Sequence, residues 1–204
     1  MTYLLDHPSM VAALALAHLG IVAAALTTAL LVALPLGIVA SRDLTASTIV
    51  LGTLGAVYTI PSLALLAVLV QAIGLGVPPL FIALVVYAQF VLVRNIGAGL
   101  RGVDPKARDA GTGLGMSTRQ LLWRVELPLA LPAIVGGVRI AAIAMVALAT
   151  LGGYIGAGGL GTLIFTGLTL HHNDEIVAGS VAVCAIALAV DAALRFLERR
   201  LRAH

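Results

Sequence analysis

What most constrains this chain is where its cations are missing. Lys and Arg are absent before Arg42, between Arg42 and Arg94, and between Arg139 and Arg195. These gaps hold apolar runs, and a helix crossing a bilayer needs roughly 20 such residues. In lipid every backbone polar group must be satisfied internally, which leaves helices or closed barrels. The runs are continuous rather than alternating, so the expected fold class is an all-α membrane protein. Composition agrees, with 61% hydrophobic and 10% charged residues and a mean hydropathy of +1.11; a soluble domain carries about a quarter charged residues.

Five spans are predicted, at about residues 18–40, 48–73, 80–93, 131–151 and 176–194. Residues 1–204 then form a single transmembrane domain, with no room for a separate soluble module. Every basic residue except Arg139 falls on one side of this arrangement. By the positive-inside rule that side is cytoplasmic, which predicts an N-out, C-in topology. The start of the chain, with Asp6 and His7, lacks the basic region of a cleavable signal, so the first run is read as a retained span. Pro61, in the stretch Tyr58-Thr59-Ile60-Pro61-Ser62, is expected to kink the second span while neighbouring groups satisfy the freed carbonyl. Residues 74–79 read as an outer turn. The glycine-rich residues 152–172 read as an outer segment with the character of a re-entrant or broken helix. No internal repeat is evident and five spans cannot be halved evenly, so a dimer is the expected pathway-forming unit.

Several chemistries are excluded. Cys184 is the single cysteine, so disulfide frameworks and cysteine-based metal or iron–sulfur sites are out. No GxxxxGK[ST] occurs and the only lysine is Lys106; the chain is not itself an ATPase. Two GxGxxG matches, Gly97-Gly99-Gly102 and Gly156-Gly158-Gly161, lack the strand context of a dinucleotide site and read as helix-packing or helix-breaking glycines. The run His171-His172-Asn173-Asp174-Glu175 reads as a docking edge for an external binding protein rather than a metal site. No nucleophile or carboxylate constellation lies at mid-depth, so no catalytic residue is expected; nor is a metal, a cofactor or a nucleic-acid partner. Arg139 either faces the bundle interior or snorkels to an edge. Tyr58, Tyr154, Gln71 and Gln89 are candidate pathway linings or interhelical hydrogen bonders. Asp191 and Arg195, four apart, are predicted to pair.

Against this background residues 104–132 form a polar, basic island. Asp104 is placed to cap a helix with Pro105 at its first position, Gly113 or Gly115 to turn the chain, and Ser117 to cap a second helix over residues 118–125 that Pro128 helps to end. An amphipathic segment between spans has no lipid to face and needs a cytoplasmic partner.

Asp109-Ala110-Gly111, three residues, Gly115, nine residues and Val125-Glu126-Leu127-Pro128 resemble the EAA loop of binding-protein-dependent ABC importer permeases. Asp109, Gly111 and Val125 depart from its usual Glu, Ala and Ile. The stretch from Tyr58 to Ala67, Leu100-Arg101-Gly102-Val103-Asp104-Pro105, the stretch from Val125 to Pro132, and Ile155-Gly156-Ala157-Gly158-Gly159-Leu160-Gly161 are similar to the osmoprotectant subfamily, over about residues 18–200. Methionine and phosphonate permeases share the layout and the loop.

The resemblance implies a non-catalytic permease in a bacterial or archaeal cell membrane, importing glycine betaine, carnitine, choline or proline betaine. It implies an ATPase subunit pair carrying the ATP and Mg, a second identical or homologous permease, and an external solute-binding protein. Asp109, Ala110, Gly111, Gly115, Met116, Ser117, Leu127 and Pro128 would be the ATPase-coupling residues. Tyr58, Pro61, Ser62, Arg139, Tyr154, Gly156, Gly158 and Gly159 would line or gate the path. An ion-coupled secondary transporter is the competing class, with Asp191 its only candidate intramembrane acid.

Overall fold

A computed structural model describes residue 3 and residues 6–202, and the described chain is helical almost throughout. In order the elements are α1 (Pro8–Arg42), α2 (Leu44–Tyr58), α3 (Ser62–Ile73), α4 (Val77–Arg101), α5 (Pro105–Gly113), α6 (Thr118–Leu121), a π-helical turn (Leu122–Glu126), α7 (Leu127–Ala149), a 3-10 turn (Thr150–Gly153), α8 (Gly161–Leu170) and α9 (Asn173–Arg202). Four helical stretches are long and apolar enough to cross a membrane, and the α2–α3 pair adds a fifth if it counts as one span. The protein is a multi-pass membrane protein.

Small side chains set the core. Ala25, Ala29, Ala33, Gly37 and Ala40 form a buried stripe on α1, the four-residue ridge that brings two helices close. Against it packs α4, buried at Leu84, Ala88, Leu92, Val93 and Ile96. The fit is tight, because a Cβ on Gly37 would fall 2.5 Å from Ile96 Cγ2. Gln89 stitches the pair by donating from Nε2 to the Ala29 carbonyl at 3.1 Å. On its other side α4 meets α7, where a Cβ on Gly99 would lie 3.0 Å from that of Ala133 and one on Gly137 would overlap Asn95. Gly97 and Gly99, two of the three glycines of one apparent nucleotide motif, are thus packing residues.

Two expectations need correction. The second apolar run is not a merely kinked helix but a broken one: α2 and α3 meet at 86°. Pro61 has an extended backbone (φ −58°, ψ 133°), and the Val57 carbonyl it cannot serve accepts from Ile60 N at 3.1 Å. Nor does Pro128 end a short helix. The helix capped at Ser117 runs on through the π turn into α7 as one stretch, Thr118–Gly153. Pro128 lies in the first turn of α7, where the wider π ladder just before it accommodates the missing donor. The long helices also extend beyond the apolar runs, α1 to Arg42 and α9 to Arg202, because charged ends continue a helix that an apolar pattern cannot mark.

Candidate functional site

The island is a compact helical turn. Asp104 caps α5, its carboxylate accepting from Lys106 N at 2.9 Å, with Pro105 at the first position. Gly115 makes the turn with φ +79°, a conformation that favours glycine. Ser117 closes a capping box, its Oγ accepting from Gln120 N and its own N–H donating to Gln120 Oε1. Asp109 and Ala110 are exposed on α5 while Gly111 is buried. A Cβ on Gly111 would lie 2.6 Å from Leu121 Cδ1 and 3.4 Å from Met116 Sδ, so the departure from Ala there accompanies a leucine that fills the space. Of the predicted coupling residues, Asp109 to Ser117 gather on this turn, and Leu127 and Pro128 stand at the base of α7.

What the sequence reading missed is the anchor. Glu126 is buried, 2% exposed, and receives both guanidinium nitrogens of Arg42 at 3.0 and 2.6 Å. Arg108 Nε approaches it at 3.1 Å and also donates from its other end to the Leu100 carbonyl. Beside this, Arg101 donates to the Ala40 carbonyl at 2.8 Å. A buried carboxylate with one bidentate arginine and a second cation is a strong, directional clamp. It fastens α5 and the base of α7 to the end of α1. The signal was present as an acid just ahead of Leu127-Pro128 in a basic stretch. The other surprise is that the turn exposes large apolar groups, Leu114 and Trp123.

The predicted path residues do not form one cluster. Tyr58 and Ser62, flanking Pro61, line a cavity of about 300 Å³ together with Tyr87 and Met145. Tyr154 lies elsewhere, with Gln71 and Ile155 around a second cavity of about 450 Å³. Gly156, Gly158 and Gly159 all have positive φ in a loop that doubles back on the 3-10 turn. There, a Cβ on Gly161 would fall 1.8 Å from the Thr150 carbonyl oxygen. This loop rests on a second residue the sequence reading passed over. His18, buried in α1, donates from Nε2 to the Val146 carbonyl at 3.0 Å, and its ring lies against the backbone of Gly159.

Arg139 is directed to α9 and is partly exposed. It sits between Asp191 and Glu198 of α9, 3.7 Å from each. Asp191 also pairs with Arg195 at 2.5 Å, so the one candidate proton-carrying acid is held by two arginines. His172 meets Glu175 at 3.1 Å, and among the described residues no group of three or more His, Cys, Asp or Glu is placed to hold a metal ion.

Comparison with known proteins places this geometry. Residues 33–203 match the family described as binding-protein-dependent transport system inner membrane component. The chain is 42% identical to the carnitine transport permease protein OpuCB of Listeria monocytogenes, over 90% of this chain and 84% of that protein. It is 35% identical to the osmoprotectant import permease protein OsmW of Salmonella typhimurium, over 96% and 94%. A chain of the inward-facing MetNI methionine ABC transporter superposes with a TM-score of 0.85 at 21% identity, over 96% of this chain and 98% of that one, which shows the shared fold. The chain belongs to the family of binding-protein-dependent transport system inner membrane components.

Proposed function

We propose that this chain is the permease subunit of an ATP-driven importer for quaternary ammonium compatible solutes: glycine betaine, carnitine, choline or proline betaine. The substrate class follows the relatives, which are named for carnitine, for choline, and for glycine betaine, carnitine and choline together. The coupling role rests on one observation. A capped helical turn, residues 104–126, presents exposed Asp109, Ala110 and Leu114 while Glu126 ties it to the end of α1. A body that is rigid, exposed at its tip and clamped at its base is suited to receive force from a partner and pass it into the spans.

On this reading the turn faces the cytoplasm, with the N-terminus outside and the C-terminus inside. One of two ATPase subunits, holding ATP and Mg, docks on it. A second permease, identical or homologous, completes the path in a bacterial or archaeal cell membrane. An external binding protein delivers the solute to the opposite end, where residues 152–175 lie. This chain contributes no catalytic residue; its work is to position and move.

The test is reconstitution of the complex purified with its neighbouring subunits. Labelled choline and glycine betaine should enter vesicles only with ATP on the ATPase side and binding protein on the other. Uptake that follows an ion gradient without ATP would overturn the proposal.

A further inference from the structure

The break between α2 and α3 gathers groups that the coupling role leaves unused. The chain has four Tyr, four Phe and one Trp, and three of these rings converge here. Tyr58 and Tyr87 stand edge to face, centroids 5.9 Å apart and planes at 73°. Phe90 lies 5.2 Å from Tyr58 with the planes at 33°. The Tyr87 hydroxyl donates to the Ile60 carbonyl at 2.5 Å, which fixes that ring against the broken helix. Tyr58 remains 43% exposed, held by ring contacts alone.

These tyrosines, with Ser62 of α3 and Ala141 and Met145 of α7, line the cavity of about 300 Å³, the size at which ligand pockets begin, roughly 300 Å³. Among the described residues no charged side chain lines it. That selects among cations. A primary ammonium would bring three N–H donors that a mostly apolar lining, with hydroxyls only at Ser62 and the two tyrosines, serves less well than water, and a hard inorganic cation wants a shell of oxygens. A tetraalkylammonium has no N–H to satisfy and is attracted to ring faces.

We infer that this cavity is a transient subsite for a quaternary ammonium headgroup inside the permease, with the faces of Tyr58 and Tyr87 as its recognition elements. The inference rests on the proposed transport function and deepens it. Recognition of the solute is then not confined to the external binding protein: the break at Pro61 sets Tyr58, at the end of α2, beside Tyr87 of α4 on the cavity wall. The neutral lining suits a waystation, since a carboxylate there would hold the cation too long for it to pass.

The experiment uses the whole complex in vesicles of phosphatidylethanolamine and phosphatidylglycerol, which offer no choline headgroup of their own. Initial rates of ATP- and binding-protein-dependent choline uptake are compared for wild type, Tyr58→Phe, Tyr58→Leu and Tyr87→Leu. The Phe variant should stay within about twofold of wild type and the Leu variants should fall by about tenfold, the size of one cation–π contact, with ATPase co-purification unchanged. A graded series of fluorinated phenylalanines at position 58 keeps ring size while draining the negative face. Uptake should fall stepwise along it, which a packing role would not produce. A flat fluorination series, or Leu variants at wild-type rate, overturns the subsite alone. Absence of such uptake in the wild-type complex overturns the transport reading and the subsite with it.

Discussion

Two ionic clusters sit on the same continuous helix, Thr118–Gly153, and are built with opposite signs. At its base one acid, Glu126, lies between two cations; roughly 20 Å further along one cation, Arg139, lies between two acids. The first is short and, through Arg42, directional, with two hydrogen bonds of 3.0 and 2.6 Å to a carboxylate buried from solvent, while Arg108 Nε adds charge at 3.1 Å without a hydrogen bond. The second is long, 3.7 Å to both partners, and partly exposed. Hydrogen-bonded charge pairs fix geometry, whereas pairs at longer range supply attraction with little orientation. The capped turn is therefore bolted to α1, while Arg139 joins α7 to α9 with little fixed orientation.

Four substitutions sharpen or break this contrast. Glu126→Ala strands Arg42 and Arg108 at a site shaped for a carboxylate and should cost about 3 kcal/mol, read as a lower unfolding midpoint of the purified complex and loss of uptake. An unchanged midpoint would remove the bolt from the argument. Gly115→Val forces a β-branched residue to a positive φ that costs about 2 kcal/mol. It leaves the clamp intact, so the permease should remain folded while ATPase co-purification weakens. Arg139→Ala should destabilise by only about 1 kcal/mol, because Asp191 keeps Arg195 and the site is part-exposed. Uptake should drop with the ATPase still bound, and wild-type uptake would demote the α7–α9 pair to mere surface chemistry. The smallest effect is expected for Arg42→Lys, which keeps the charge but loses the two-pronged contact. About 0.5 kcal/mol and a modest fall in coupling efficiency, ATP hydrolysed per solute moved, should separate geometry from charge at the clamp.

How far the sequence reached is seen in the prolines. Pro35, Pro61 and Pro132 fall inside predicted spans, and of these only Pro61 breaks its helix. Pro35 and Pro132 are carried within α1 and α7, and Pro128 begins α7 behind a π turn. A proline removes the same donor everywhere. At the break Ile60 N serves the Val57 carbonyl and the Tyr87 hydroxyl serves that of Ile60, and Tyr87 is remote in sequence. The caps at Asp104 and Ser117 were legible because capping is local. The Asp191–Arg195 pair was legible for the same reason. Glu126 with Arg42, Arg139 with Glu198 and His18 with Val146 were not, since each joins helices whose adjacency no periodicity declares. Tyr154 and the glycine loop were grouped with Tyr58 by composition, and the fold separates them.

The continuity of α6, the π turn and α7 has a mechanical consequence. A helix of 36 residues is about 54 Å long, and it runs from the capped turn at one end of the bundle to the 3-10 turn beside Gly161 at the other. Pivoting it about its middle by about 10° would carry each tip roughly 5 Å in opposite directions. A nudge at Ser117 would thus arrive as an opposite swing at Gly153, without any relay of side chains between. The close backbone contact of Gly153 and Gly161, which leaves no room for a Cβ on either residue, would be the bearing surface that such a lever arm works against.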